Sequence, residues 1–350
     1  MNDAKLQLAV VLDKLVRRQD LTEQEAADAM ADVMAGEATP AQIAGLLVGL
    51  AMKGERPAEI VGLARTMRAH AVQLSRRRTG LFDTCGTGGD RSGTFNISSA
   101  TAVVLAACGV PVAKHGNRSV SSRSGSADVF ETLGINVTAS PDVVERCLDE
   151  VGVAFFFAPT FHPSMRHAGP ARRELGIRTA FNLLGPLTNP AGASRQLVGV
   201  PAPELTELVA RALMQLGSER AWVVHGADGL DEISTVGYTK VSECRDGAVQ
   251  TFYVHPSDFG LPKATPAALR GGDAAVNARI VRDVLNGVPG PARDVVLLNA
   301  GASLLVAGAA GSVKEGMARA AAAVDEGKAA ATLERLAAVS HETSRSGGAA

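Results

Sequence analysis

The segment Asp83-Thr84-Cys85-Gly86-Thr87-Gly88-Gly89-Asp90 packs three glycines into four residues. Such a loop lets its backbone come close to a ligand, and successive free N–H groups in it form a concavity that attracts anions. Gly93-Thr94-Phe95-Asn96-Ile97-Ser98-Ser99 follows and opens a helix that runs on through Ala100, Val103 and Leu105. Asn96, Ser98 and Ser99 then stand at or near a helix N-terminus, where unpaired N–H groups, the helix dipole and two hydroxyls all favour a negative charge. The loop is not a Walker loop, because no G-x-x-x-x-G-K-[ST] occurs, and Arg91 holds the place of the third glycine in a dinucleotide-binding G-x-G-x-x-G.

Lys114-His115-Gly116-Asn117-Arg118-Ser119-Val120-Ser121-Ser122 is the second candidate, with two cations, an amide and three hydroxyls suited to phosphate oxygens. Alone it reads equally as a solvated basic loop; after a strand and beside the glycine loop, it reads as a ligand contact. Asp231-Glu232 closes the glycine-rich turn His225-Gly226-Ala227-Asp228-Gly229-Leu230. Neighbouring carboxylates cannot share a face in a strand, but in a loop both can turn to one site, and hard oxygen donors suit Mg²⁺. An acidic surface turn is the alternative. Arg172 and Arg173 lie in a helical context, about 100° apart on the helix, so only one can face a given cleft; a guanidinium there can grip a carboxylate in bidentate fashion.

These residues need a scaffold. Before residue 80 the pattern is helical: a stripe of Leu6, Val10, Leu12 and Leu15; a helix opened by Thr22-Glu23-Gln24-Glu25 and carrying Ala26, Ala27, Met30, Val33 and Met34; one opened by Thr39-Pro40 with Ile43, Leu46, Leu47 and Leu50; and one from Pro57 with Ile60, Leu63, Ala64 and Met67. Beyond it, short apolar runs alternate with glycine-rich turns and amphipathic helices. Leu81–Asp83, Val110–Ala113, Val153–Phe157, Gln196–Val200 and Arg220–His225 are the strand candidates, and Pro203 to Leu216 is one of the helices between them. Repeated strand–helix units predict a mostly parallel sheet flanked by helices, with ligands beyond the carboxyl ends of its strands. A long Ala-rich helix is expected from Ser312 to Val339, and Gly185–Pro190 reads as a structural turn.

The bulk numbers are compatible with two domains or one large one. The chain has 350 residues, 46% of them apolar and only 4% aromatic, so aliphatic residues fill the core. A formal charge of -1, from 35 basic and 36 acidic residues, lacks the basic excess of a nucleic-acid binder. Four cysteines without a C-x-x-C pair argue for reduced, mostly buried thiols in a cytoplasmic protein. Charges interrupt the apolar N-terminal segment, and no run of about 18 apolar residues suggests a membrane span.

Taken together, Asp83–Asp90, Asn96–Ser99, Lys114–Arg118, Arg178–Pro190 and Gly229–Glu232 resemble the anthranilate phosphoribosyltransferase family, in the family's order and along nearly the whole chain. The resemblance implies an α/β fold of the nucleoside phosphorylase and phosphoribosyltransferase type. A small helical domain would span residues 1–75, completed by helices near 166–186; an α/β domain 76–339 would hold the sites; and residues 340–350 would form a disordered tail. It implies transfer from phosphoribosyl pyrophosphate (PRPP) to anthranilate, in tryptophan biosynthesis, by a homodimer using Mg²⁺, two ions per site. PRPP would be met by Gly86, Gly89, Asp90, Thr94, Asn96, Ile97, Ser98, Ser99, Lys114 through Ser122, and Ser126. Anthranilate would be met by Gly86, Asn117 and Arg172, and metal by Asp231 and Glu232 for one ion and Ser98 for another. Ser99 departs from the family's usual Thr but keeps the hydroxyl. No residue is assigned as acid or base, His162 and His167 included. The rival readings are a pyrimidine nucleoside phosphorylase-like enzyme, whose lysine-rich motif is not found here, and a non-catalytic nucleic-acid-binding relative, which the balanced charge disfavours.

Overall fold

The computed structural model describes residues 3–90, 92–119 and 123–343. Four helices come first: α1 (Asp3–Val16), α2 (Glu23–Ala35), α3 (Pro40–Lys53) and α4 (Pro57–Ala69). Thr22 with Glu25 and Thr39 with Gln42 close reciprocal capping boxes at the starts of α2 and α3, and Gly36 ends α2 in the left-handed conformation. The buried stripes of α3 and α4 are those the spacing predicts; of the α1 stripe, Leu15 is buried and Leu12 packs half-buried on the helical core, while the Leu6 side chain lies outside those described. Leu8, Val11 and Leu15 face inward, a three- and four-residue spacing, and Val10 points to solvent.

The remainder alternates strands and helices. It runs β1 (Phe82–Asp83), α5 (Ile97–Ala107), β2 (Val112–Gly116), α6 (Ser126–Thr132), α7 (Pro141–Val151), β3 (Val153–Phe157), α8 (Ala158–Phe161), α9 (Gly169–Leu175) and α10 (Ala180–Leu184). Then come β4 (Arg195–Gly199), α11 (Leu205–Gln215), β5 (Arg220–Gly226), β6 (Thr239–Arg245), β7 (Ala248–Val254), α12 (Ala274–Leu285), α13 (Pro291–Val306), α14 (Val313–Asp325) and α15 (Lys328–Ser340). The sheet order is β3-β2-β1-β4-β5-β6-β7, with β1 to β5 parallel and β6 and β7 antiparallel. The chain moves outward from β1 in one direction through β2 and β3, and in the other through β4 and β5. A crevice therefore opens between the carboxyl ends of β1 and β4, where such sheets hold ligands.

Three elements differ from the sequence reading. The β6–β7 hairpin was not among the expected strands; Asp246 and Gly247, both at positive φ, make its two-residue turn. Strand β2 starts and ends later than Val110–Ala113, because its ladder with β3 continues to Gly116 opposite Phe157. This puts Lys114 and His115 inside the sheet rather than in the loop after it. The expected Ala-rich helix is two helices, broken at Gly327, whose φ of 74° is left-handed.

Two cores result. One packs α5, α7, α12 and α13 against the sheet around Phe82, Phe130 and Phe156. The other joins α1–α4 to Ala168, Phe181, Leu184 and Leu187, and through Val198, Val209, Leu213 and Val223 to the sheet's opposite face. Gly185–Thr188 forms a 3₁₀ turn between them, and Asn189 after it ties strands together. Its Nδ2 donates to Asp83 Oδ2 and to the Ala113 carbonyl, both at 2.8 Å. Asp83 is fully buried, and that burial pushes its carboxyl up to about 6 despite Lys114, Asn189 and the His115 N–H. Asn189→Ala should cost about 3 kcal/mol at pH 7.5, since it strands a buried carboxylate, and less at pH 5, where Asp83 is protonated. Urea unfolding reads this; an unchanged midpoint at pH 7.5 would contradict it.

Candidate active site

The carboxyl ends of β1, β2, β4 and β5 supply the pieces. After β1 the glycine loop crosses to β4: Thr87 N–H and Oγ1 both donate to the Gly199 carbonyl, at 2.9 and 3.2 Å. Gly88 and Gly89 carry it through φ of 66° and 77°, which only glycine adopts freely. A side chain at Gly86 would meet Asp231 Oδ2 at 3.1 Å, so loop and acidic pair are in direct apposition. At Gly199 a Cβ would overlap the Asp231 carbonyl oxygen. The missing side chain at the end of β4 is therefore what admits the Asp231 backbone to this point.

Glu232 meets the next helix. The backbone N–H of Ser98, in the first turn of α5, lies on the side of the Glu232 carboxyl and helps to hold its pKa down, so α5 begins near a negative charge, as the helix dipole favours. Asn96 is the N-cap; its Oδ1 accepts from Asn277 Nδ2 at 3.0 Å, and its Nδ2 donates to the Ser124 carbonyl at 3.4 Å. Lys114 is 2% exposed, and its Nζ donates to the Thr84 carbonyl at 3.1 Å. Loss of water holds the carboxyls of Asp231 and Glu232 above the usual carboxylate range; Asp90 adds to this at Asp231, and Asp231 and then Asp90 at Glu232, where Lys114 is the cation that opposes it. Three carboxylates against one ammonium form a donor set that a divalent cation would relieve. Among the described residues no three His, Cys, Asp or Glu side chains cage a metal by themselves. Any ion here would complete its shell with water and substrate oxygens, as Mg²⁺ does.

Other expected residues are placed differently. Ile97 turns into the core and spends its N–H on the Phe95 carbonyl; Ser99 is fully buried. His115 is buried, its Nδ1 bound to the Gly185 carbonyl at 3.0 Å, so the ring presents an acceptor at Nε2 rather than a phosphate donor. Burial and the adjacent His162 push it down to about 3, and burial takes His162 to about 4. Arg118 points to α6, where Asp128 and Glu131 hold it at 3.0 and 2.8 Å. Thr94 pairs with Arg270 and shares a hydroxyl contact with Ser92, and Ser126 Oγ donates to the Asn117 carbonyl at 3.4 Å. The Gly116 Cα packs against Ser126 and Phe155, and Ser119 N–H donates to Asp128. Val120, Ser121 and Ser122 lie outside the described residues.

Arg172 is the half-buried member of its pair and lies over the Phe181 ring at 5.1 Å, while Arg173 is exposed. The same segment reaches the glycine loop through Arg178, whose Nη2 would lie 3.0 Å from a Cβ on Gly89. Arg178 stood within a recognised motif but carried no role. Nothing in its local sequence separates it from an ordinary surface arginine.

Gly199→Ala should displace Asp231 and lower kcat/KM by about 100-fold, the cost of roughly 1 Å of misplacement, with the circular dichroism spectrum retained; wild-type kinetics would contradict the packing. The raised carboxyls give a second expectation. Acids whose folded pKa exceeds the unfolded value bind protons more tightly when folded, so the metal-free protein should lose stability as pH rises from about 4 to neutrality. Asp231→Asn with Glu232→Gln should accordingly raise the metal-free melting temperature at pH 7.5 while abolishing turnover. A fall in melting temperature would refute that electrostatic reading.

Two family descriptions match the chain: the helical bundle domain of a glycosyl transferase family over residues 10–71, and the α/β domain of that family over 78–330. Anthranilate phosphoribosyltransferase of Moorella thermoacetica is 57% identical over 329 residues, covering 94% of this chain and 97% of that protein. The enzyme of Symbiobacterium thermophilum is 53% identical over 334 residues, covering 95% and 98%. Among solved structures, the anthranilate phosphoribosyltransferase of Thermus thermophilus superposes with a TM-score of 0.90 at 46% identity, covering 95% of this chain and 99% of that one. That of Saccharomyces cerevisiae in complex with PRPP and Mg superposes at 0.87 and 27% identity, covering 95% and 97%. Such identity, sustained along nearly the whole of both chains with the two domains in one order, makes this chain a member of the anthranilate phosphoribosyltransferase family.

Proposed function

We propose a division of labour among these residues for the family's reaction, in which the 5-phosphoribosyl group of PRPP passes to the amine of anthranilate. The products are N-(5-phosphoribosyl)anthranilate and pyrophosphate, an early step towards tryptophan. The observation that carries the reading is the meeting of the glycine loop, the start of α5, Lys114 and the Asp231–Glu232 pair at the β1–β4 crevice. A polyanion with a metal is what this mixture of free N–H groups, one buried cation and desolvated carboxylates would bind.

In this reading the diphosphate of PRPP lies along the glycine loop and the first turn of α5. Gly86, Gly89, Thr94, Asn96 and Ser98 offer it backbone and side-chain donors, and Lys114 offers the two ammonium hydrogens not spent on Thr84. Asn117 and Ser119 contribute from the turn after β2 and Ser126 from the start of α6, with Val120, Ser121 and Ser122 assigned on sequence alone. Arg118 would have to exchange Asp128 and Glu131 for a phosphate. Asp231 and Glu232 would hold a magnesium ion, and Ser98 would meet a second; bound there, the metal would supply Lewis-acid neutralisation of the leaving diphosphate.

As the C1–O bond breaks, positive charge develops on the ribose, and the donors just named stabilise the departing anion. The aromatic amine then attacks from the opposite face. It is neutral at pH 7, and the proton it sheds once the C1–N bond has formed passes to the departing diphosphate or to water, so no strong base is required; positioning can supply roughly 7–11 kcal/mol. Arg172 reads the anthranilate carboxylate, with Asn117 and Gly86 beside it. A second copy of the chain would dock on the helical domain, where Val10, Val16 and Met52 are 52%, 84% and 68% exposed. Four free thiols accord with the cytoplasm, and among the described residues no helix is long and apolar enough to cross a membrane.

Arg172→Ala should raise KM for anthranilate at least about tenfold, the value of a lost charge-assisted bond, and leave KM for PRPP nearly unchanged. Steady-state kinetics with fluorescence detection of anthranilate decides this; equal rises in both constants would remove Arg172 from the acceptor site.

A further inference from the structure

Asn299 is a polar residue in the middle of the apolar helix α13 and has no accessible surface. Its Oδ1 accepts the Ile233 N–H at 3.0 Å, and its Nδ2 donates to the Ile233 carbonyl at 2.9 Å. A third bond, from Nδ2 to the Val295 carbonyl at 2.8 Å, fixes the amide against its own helix. The side chain thus satisfies both polar groups of one residue in a loop, as a neighbouring strand would. That residue directly follows Glu232.

Elsewhere the loop is held by side chains of its own neighbourhood, Ser234 Oγ donating to Asp228 Oδ2 at 3.0 Å and the Asp231 N–H reaching Asp90 Oδ2 at 3.5 Å, and by backbone. Gly226 N–H donates to the Leu230 carbonyl at 2.8 Å, and Asp231 packs on the bare Cα of Gly199. Asp90 crowds both carboxyls and Asp231 crowds Glu232, in a place where each has lost part of its water. Unrestrained, they would relax by swinging outward to regain it. The Ile233 side chain, 1% exposed, and the Asn299 amide oppose that movement from the far side of the loop.

We infer that Asn299 is a positioning residue for the acidic pair: by locking the Ile233 backbone to α13, it fixes Asp231 and Glu232 beside Ser98 and so sets the enzyme's affinity for divalent metal. The inference rests on the reading of that pair as the metal site. It assigns α13, which bears none of the proposed ligands, a direct part in cation binding. It also accounts for an amide fully buried among Val296, Leu297, Leu298, Ala300 and Ala302, where an apolar residue would pack as well but leave Ile233 N–H and C=O without partners.

The test is titration of the full-length enzyme with Mn²⁺ alone, followed by electron paramagnetic resonance, alongside the Mg²⁺ dependence of the rate. Asn299→Leu should weaken Mn²⁺ binding by about 10–100-fold, the usual effect of removing a residue that orients metal ligands, and raise the Mg²⁺ needed for half-maximal rate in step. KM for anthranilate should not change. Val296→Ala, on the same buried helix, controls for lost packing: it should lower the melting temperature and leave Mn²⁺ affinity as in wild type. Should Asn299→Leu fail to fold, Asn299→Ser, which keeps a small polar group, should weaken Mn²⁺ to a lesser degree. Wild-type Mn²⁺ affinity in the folded Asn299 variant overturns the inference, provided Asp231→Asn with Glu232→Gln abolishes binding. If that double variant also binds as wild type, the assignment of the metal site itself is wrong and the inference falls with it.

Discussion

Asp90, Asp231 and Glu232 are crowded together where one buried ammonium, Lys114, opposes them. Left in water, such groups would separate. Here the geometry of the sheet denies them the choice. Strands β1 and β4 are neighbours whose chains depart in opposite directions, so the loops beyond them face one crevice. Gly199 lacks the side chain that would keep Asp231 out, and the α5 N-terminus presents the Ser98 N–H to Glu232. The crowding that results is relieved by a proton or by a cation, and a cation bound there would make the crevice attractive to a diphosphate.

The rest of the fold can be understood as what makes this arrangement tolerable. A large apolar core behind α5 and α13 supplies the rigidity, and amides placed within it hold the loops. Asn189 ties Asp83 on β1 to β2, Asn277 orients the Asn96 cap, and Asn299 pins the residue after Glu232. Each is buried with its hydrogen bonds made, so each contributes specificity of geometry at little cost in stability. The helical domain shares its core with the segment bearing Arg172 and Phe181, and that segment reaches back to the glycine loop through Arg178. The two sides of the crevice thus draw on both cores, the glycine loop and α5 on one and the Arg172 segment on the other.

Much of this was legible in the residue pattern because the local rules were strong. The capping boxes at Thr22 and Thr39, the glycine run after β1 and the adjacent carboxylates after β5 announce themselves within a few residues. What depended on partners far along the chain did not. Lys114 and His115 look like loop residues because the apolar run stops at Ala113, yet the all-apolar β3 extends the ladder past them. On α1, Val11 rather than Val10 faces the core, because the two are chemically alike and only packing separates them. The β6–β7 hairpin was overlooked although Asp246-Gly247 is a strong turn signal, because its strands carry Lys240, Glu243 and Arg245 among their apolar residues. Asn299, in an apolar helix, gave no sign of the loop it holds.

The most direct examination is a crystal structure of this enzyme with PRPP and Mn²⁺, with the metal located by its anomalous scattering. The account expects a manganese peak within coordination distance of Asp231 or Glu232, bridged to the diphosphate, with Lys114 and the start of α5 on the same phosphates. A diphosphate bound away from Lys114, with no metal at either carboxylate, would contradict it.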